Sequence, residues 1–215
     1  MSLEKIKLLQ EKLASKVITK NELPSKIVRV CGVDVSYKNN IAYGAAVILD
    51  RQTHEVIEIA KSTLKVTTPY IPGFFVLREA KPILKTLDKL TQDFDLLLVD
   101  GNGQLHPRRC GLACYIGLVL DKPVIGVAKK LLCGKVKRDQ TVEHNRKIIG
   151  YEVKHKGKKI YVSVGHKISL KKSVSIVKEL FDKGWHPEPL RLADTYSKVY
   201  SKNWIVVNAR KSENC

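Results

Sequence analysis

Two aspartates stand where a β-rich chain ordinarily carries only apolar residues. Asp100 closes the run "LLLVD" at 96–100, and Asp34 sits inside "VCGVDVSY" at 30–37. Both runs read as strands, and an ionised side chain in a buried strand is costly unless something compensates it. Two carboxylates at the heart of one sheet also repel, raising each other's pKa unless a cation lies between them. A hard divalent ion suits such a pair: magnesium or manganese prefers carboxylate oxygen, keeps several waters and takes one or two acids. A neighbouring lysine or arginine is the competing form of compensation. Directly after Asp100 comes "GNGQLHPRRCGLA", where His106, Arg108 and Arg109 could contact a phosphate or hold a loop.

Glu79, in "FFVLREAKPIL", and Asp194, in "PLRLADTYSKVY", fall on expected helices among apolar residues. Periodicity alone does not separate a ligand there from a solvated acid or a partner of Arg78 or Arg191. Lys129 ends the run "VIGVAK". It reads either as a surface cation or as an ammonium beside a scissile phosphate.

These residues must be positioned by the elements around them. Residues 3–18 place Leu3, Ile6, Leu9, Leu13 and Val17 at helical spacing, which predicts an amphipathic helix used for packing. Residues 26–66 hold three β-rich runs separated by "KNN" and "DRQT", which predict an antiparallel meander. After "PYIPG", a helix is expected over 74–91, a strand in "DLLLVD", a helix in "RRCGLACYIGLVLD" and a strand in "KPVIGVA". The remainder predicts a hairpin across "HKGK" and helices over 172–183 and 189–202, the last opened by prolines. No repeat or low-complexity linker divides the chain, so a single domain over 1–215 is expected.

Composition narrows the partner. Thirty-nine basic against 21 acidic side chains leave a net charge of +18, much of it within 129–172, and this favours a polyanion such as nucleic acid. No apolar stretch approaches a membrane span, and "MSLEKIKLLQEKLASKV" lacks the apolar block of a signal peptide; a soluble, cytoplasmic protein is the expectation. The five cysteines, at 31, 110, 114, 133 and 215, show no zinc spacing and read as small core residues.

"GVDVSY", "PYIPGFFVLREA", "VDGNGQLHPRRCGLA", "PVIGVAKKLLCG" and "RLADTYSK" together resemble the successive motifs of the endonuclease V family, in that family's order and over nearly residues 30–200. The resemblance implies a ribonuclease-H-like α/β fold, a mixed central sheet flanked by helices, which agrees with the order of elements read above. It further implies an enzyme that uses magnesium, with manganese able to substitute, to cut a strand near deoxyinosine, the product of adenine deamination. Cleavage is expected at the second phosphodiester bond on the 3′ side, by in-line attack of water, leaving a 3′-hydroxyl and a 5′-phosphate.

Carried over motif by motif, Asp34, Glu79 and Asp100 resemble the family's metal-binding acids and Asp194 its fourth site position, where many relatives have histidine. Lys129 resembles the active-site lysine. Tyr70, Ile71, Pro72 and Gly73 resemble a wedge that fills the gap left by an extruded base. Gly73, Gly101, Gly103 and Gly111, lacking Cβ, would let backbone approach that base, and Leu132 would border its pocket. His106 stays open between metal ligation, phosphate contact and loop support. Tyr115 stands where bacterial relatives commonly have histidine, so no role of that histidine transfers. Damaged DNA and inosine-containing RNA are both open as substrates; a monomer with no membrane association and no obligate protein partner is expected. The alternative is a noncatalytic nucleic-acid-binding domain on the same scaffold, which has no need of buried acids. A nucleobase deaminase is disfavoured, since its zinc signature is missing.

Overall fold

The computed structural model describes residues 3–68, 71 and 73–212, with backbone alone for Leu3 and for 203–212. The first three β-rich runs form β1 (Arg29–Lys38), β2 (Ile41–Asp50) and β3 (Val56–Lys65), an antiparallel meander as expected. Asn39 and Asn40, which join β1 to β2, both have positive φ (51° and 58°), the backbone a two-residue hairpin needs and asparagine tolerates. Next come α2 (Val76–Leu87), β4 (Leu96–Asp100), α3 (Leu112–Leu120) and β5 (Val124–Ala128), preceded at the start of the chain by α1 (Leu3–Ala14). β4 pairs in parallel with β1 and β5 in parallel with β4, so the carboxyl ends of all three strands point the same way. The order β3-β2-β1-β4-β5 is the ribonuclease-H-like arrangement.

Beyond β5 the sheet continues through β9 (Lys158–His166), β8 (Lys147–His155), β7 (Thr141–His144) and β6 (Lys135–Val136), nine strands in all among the described residues. The expected hairpin across "HKGK" is β8–β9, turned at Lys156 and Gly157, both at positive φ. β6 and β7 were not foreseen; two and four residues are too few to show period-two alternation.

Helices cover both faces. Cys31, Val33, Leu97 and Val99 pack beneath α2 and α3, against Ala80, Ile83 and Ile116. On the other face Val30, Leu96, Leu98 and Ile125 meet α4 (Leu170–Glu179) and α5 (Glu188–Ser212) through Val177, Leu180 and Leu190. Because strand side chains alternate, Asp34 and Asp100 emerge on the α5 face, each just past the buried ladder pair Val33 and Val99. α4 begins two residues earlier than expected, where the Ser169 side chain accepts a hydrogen bond from the Lys172 N–H and caps the helix.

Gly32 sets how closely α5 can lie. A Cβ there would stand 2.4 Å from the Pro189 carbonyl carbon, so only glycine lets the start of α5 rest on β1. That contact brings Asp194 and Ser197, further along α5, beside the second half of β1, where Ser197 meets Asp34 and Ser36. No helix among the described residues is long and apolar enough to cross a membrane.

Candidate active site

Asp34, midway along β1, and Asp100, the last residue of β4, lie side by side just past the end of the parallel β1–β4 ladder, where backbones run about 4.8 Å apart. Burial, reinforced by the charge of Asp100, pushes the Asp34 carboxyl up to about 6. Ser197, fully buried on α5, opposes this by donating to Asp34 Oδ2 at 2.9 Å. The Ser197 carbonyl in turn accepts from Ser36 Oγ at 2.9 Å, so two serine hydroxyls tie α5 to β1 around the aspartate. Sequence reasoning missed Ser197; a serine three residues after Asp194 carries no motif signal by itself.

Glu79 arrives from the first turn of α2 and is only 5 % exposed. Burial pushes its carboxyl up to about 8, with Asp34 and Asp100 adding to the rise and the nearby Tyr37 hydroxyl and Arg78 charge opposing it. Tyr37, on β1, also meets a gap in the helix's own hydrogen bonding. Pro82 has no N–H to give the carbonyl of Arg78 four residues earlier, and the Tyr37 hydroxyl donates to that carbonyl instead, at 3.3 Å. The Arg78 guanidinium lies 4.2 Å over the Tyr37 ring and donates to the Thr68 carbonyl, so Arg78 forms no pair with Glu79 in hydrogen-bonding range.

Lys129, one residue beyond β5, supplies the local positive charge. Its ammonium donates to Asp100 Oδ2 at 2.6 Å and lies 3.6 Å from Asp194 Oδ1. Burial alone would lower its pKa, but Asp100, Asp34 and Asp194 together hold it above the ordinary lysine value. Asp194 also accepts from Lys198 at 2.7 Å, one turn on along α5. Among the described residues, no three His, Cys, Asp or Glu side chains gather tightly enough to hold a metal ion on protein ligands alone.

These acids open onto a cavity of about 590 Å³ whose lining includes Asp34, Glu79, Asp100, Lys129 and Asp194 at one end. Gly73, Gly101, His106, Gly111 and Leu132 line it further on. The structure thus gathers most of the expected site residues around one space. Gly103 is placed differently: a Cβ there would stand 2.1 Å from the Val164 carbonyl oxygen, and its N–H donates to Ser163 Oγ, so it packs the loop onto β9 behind the cavity wall. Ile71 is half-buried and does not line the cavity. Tyr70 and Pro72 lie outside the described residues. Tyr115 lines a separate apolar groove between α1 and α2.

His106 supports the loop. It is 3 % exposed, its Nδ1 accepts from the Arg108 N–H at 3.3 Å, and its Nε2 therefore donates to the Gly73 carbonyl at 3.1 Å. Burial, with the nearby Arg108 charge, lowers its pKa to about 4, so the ring is neutral near pH 7. Arg108 is committed within the protein as well, to the Gly73 carbonyl and to Gln10. A second histidine went unnoticed in the sequence: His186, in the turn before α5, is 4 % exposed, and burial, aided by Lys129, lowers it to about 4 against the pull of Asp100 and Asp194. "WHPEPL" had read only as a helix start.

The sequence model of the Endonuclease V family matches residues 11–195. The chain belongs to the Endonuclease V family. It is 44 % identical over 196 residues to Endonuclease V of Pyrococcus abyssi, covering 91 % of each chain, and 39 % identical over 208 residues to that of Thermofilum pendens, covering 94 % of this chain and 90 % of the relative. Among solved structures, the catalytic domain of human Endonuclease V superposes with a TM-score of 0.85 at 27 % identity, covering 95 % of this chain and 99 % of that one. Endonuclease V of Ciona intestinalis, solved in complex with a 24mer DNA containing an inosine followed by a ribo-adenosine, superposes with a TM-score of 0.84 at 28 % identity, covering 94 % and 98 %. With Asp34, Glu79, Asp100 and Lys129 around one cavity, the Endonuclease V motifs that lie far apart in the chain meet in space.

Proposed function

We propose that this protein is a divalent-metal-dependent endonuclease acting on nucleic acid that contains deaminated adenine. It cuts the second phosphodiester bond 3′ to the lesion and leaves a 3′-hydroxyl and a 5′-phosphate. The observation that carries this reading is the pair Asp34 and Asp100 on adjacent parallel strands, with Glu79, Asp194 and Lys129 around the same cavity. The Ciona relative's inosine-containing DNA supports the substrate class.

The donors fit magnesium or manganese. Asp34 and Glu79 are held well above ordinary carboxylates by burial, and the neighbouring acids add to the rise. Magnesium commonly takes only one or two carboxylates and completes its shell with water and substrate phosphate. Asp34 and Asp100 would hold the ion, with Glu79 and Asp194 to either side. When bound, such an ion supplies Lewis acidity and an acidified water.

The protein's own residues set the rest. Ser197 binds Asp34 Oδ2 and so fixes the orientation of that carboxylate beside the cavity. Lys129, poised between Asp100 and Asp194, can turn toward the scissile phosphate and offset charge growing on the leaving oxygen. The surplus of basic residues attracts the phosphate backbone; Lys130, Lys135, Lys137 and Arg138, which follow Lys129 in the chain, are all exposed.

An end-labelled duplex with one deoxyinosine, incubated with Mg²⁺ or with EDTA, tests the reading; an inosine-containing RNA run beside it at the same salt ranks the two substrates. A single magnesium-dependent cut leaving an extendable 3′-hydroxyl is expected. A stable complex with no cut in either Mg²⁺ or Mn²⁺ would instead identify a noncatalytic binding domain.

A further inference from the structure

α1 was expected to serve packing alone, with Leu9 in its buried stripe. In the structure Leu9 is 43 % exposed, whereas Gln10 is 4 % exposed and stands between Ile6 and Leu13 on the inner face. A glutamine in that position must find partners for both ends of its amide. Its Oε1 accepts from Arg108 Nε at 2.7 Å, and its Nε2 donates to the Cys110 carbonyl at 3.2 Å and the Gly73 carbonyl at 3.4 Å. The orientation of the amide is fixed by this set, because turning it over would set donor against donor at Arg108.

The Gly73 carbonyl is the meeting point. It also accepts from Arg108 Nη2 at 2.6 Å and His106 Nε2 at 3.1 Å, so side chains from α1 and from the loop after β4 converge on one oxygen. Arg108 is further steadied 4.6 Å over the Phe74 ring. Gly73, His106 and Gln10 all line the cavity that holds the acids. Gln10 has no contact with those acids, yet it joins two segments of the cavity wall that are 37 residues apart in the chain (73 and 110).

We propose that Gln10 is a specificity-determining positioning residue: its amide locks the Gly73 turn to the 106–110 loop and so fixes the shape of the pocket that receives the extruded base. This rests on the functional reading above, since it takes the far end of the cavity as the base pocket. A wall held by carbonyl and amide bonds keeps its shape whether or not the metal site is filled, and it can reject a base that does not match that shape without altering the chemistry at Asp34 and Asp100.

The test compares wild type with Gln10→Ala and Gln10→Glu. The second variant keeps an acceptor for Arg108 but loses the donor to both carbonyls, and it serves if the alanine variant does not fold. Cleavage kinetics on deoxyinosine and undamaged duplexes are measured beside the fluorescence of a 2-aminopurine placed next to the lesion, which reports base extrusion. For either variant the account predicts a KM for the deoxyinosine duplex raised about tenfold, kcat within about twofold, and preference over undamaged duplex reduced about tenfold. The 2-aminopurine signal falls with it. A purely structural defect would lower turnover on both substrates together and leave the preference intact. A variant that keeps both the preference and the fluorescence change overturns the inference alone. A wild-type protein with no preference for deoxyinosine overturns the functional reading and the inference together.

Discussion

At one end of the cavity stand Asp34, Glu79, Asp100 and Asp194, with Lys129 between Asp100 and Asp194 and Lys198 on Asp194, and burial drives Asp34 to about 6 and Glu79 to about 8. At the loop side, Gln10, His106 and Arg108 spend their polar atoms on one another and on two carbonyls, and the histidine is neutral. The first region holds charge that the protein leaves under-compensated; the second is matched donor to acceptor. A site proposed to take up a cation gains from the former, because an added positive charge relieves buried carboxylates held above their ordinary pKa. A wall that must select by shape gains from the latter.

The sharpest way to break this contrast is to remove one carboxylate. Asp100→Asn is expected to reduce cutting of a deoxyinosine duplex at least about a thousandfold, equivalent to roughly 4 kcal/mol of barrier. Binding in EDTA should stay within a few-fold, because phosphate attraction comes from distributed basic residues; a gel-shift titration beside the cleavage assay measures both. Lys129→Met is expected to cost about a hundredfold in kcat, the scale of one preorganised charge donor, with KM little changed.

Glu79→Gln separates stability from activity. In the folded protein Glu79 keeps its proton up to about pH 8, whereas the unfolded chain releases it near its ordinary value, 4.5. The folded state therefore binds more protons across that window, and stability falls as pH rises through it. Glutamine removes the cost: in EDTA above pH 8 the variant should be more stable by on the order of 2 kcal/mol, about 5 °C in Tm, while cleavage drops. The stability gain should vanish near pH 4. Equal melting temperatures at pH 9 would show that Glu79 is not charge-strained.

His106 has the opposite sign and a smaller effect. Its folded-state pKa of about 4 lies below the ordinary 6.5, so the unfolded chain binds the extra proton and stability is lost as pH falls from 6.5 toward 4. His106→Asn should make that acid-side fall shallower in thermal melts; an unchanged slope would mean that the ring is not held neutral by the loop. His186 shares the window, so part of the slope remains.

Asp34 and Asp100 were legible because a carboxylate among β-forming residues breaks a strong local rule, and the meander and parallel strands were legible because their runs are long and apolar. Glu79 and Asp194 were not, since an acid on a helix looks alike whether it faces water or a cavity; only their motifs marked them. Lys129 was ambiguous for the same reason. Ser197, His186 and Gln10 escaped because their roles depend on which distant segment they meet: Ser197 on the approach of α5 that Gly32 permits, Gln10 on two loop carbonyls. β6 and β7 escaped because they are short and polar and owe their place in the sheet to pairing with β8.

The proposed function requires Asp34 and Asp100 together to hold a divalent ion, and titrating Mn²⁺ into the protein without nucleic acid, followed by electron paramagnetic resonance, addresses this most directly. Wild type is predicted to bind Mn²⁺ and Asp34→Asn to bind it at least about tenfold more weakly. Equal Mn²⁺ affinity in the two proteins would contradict it.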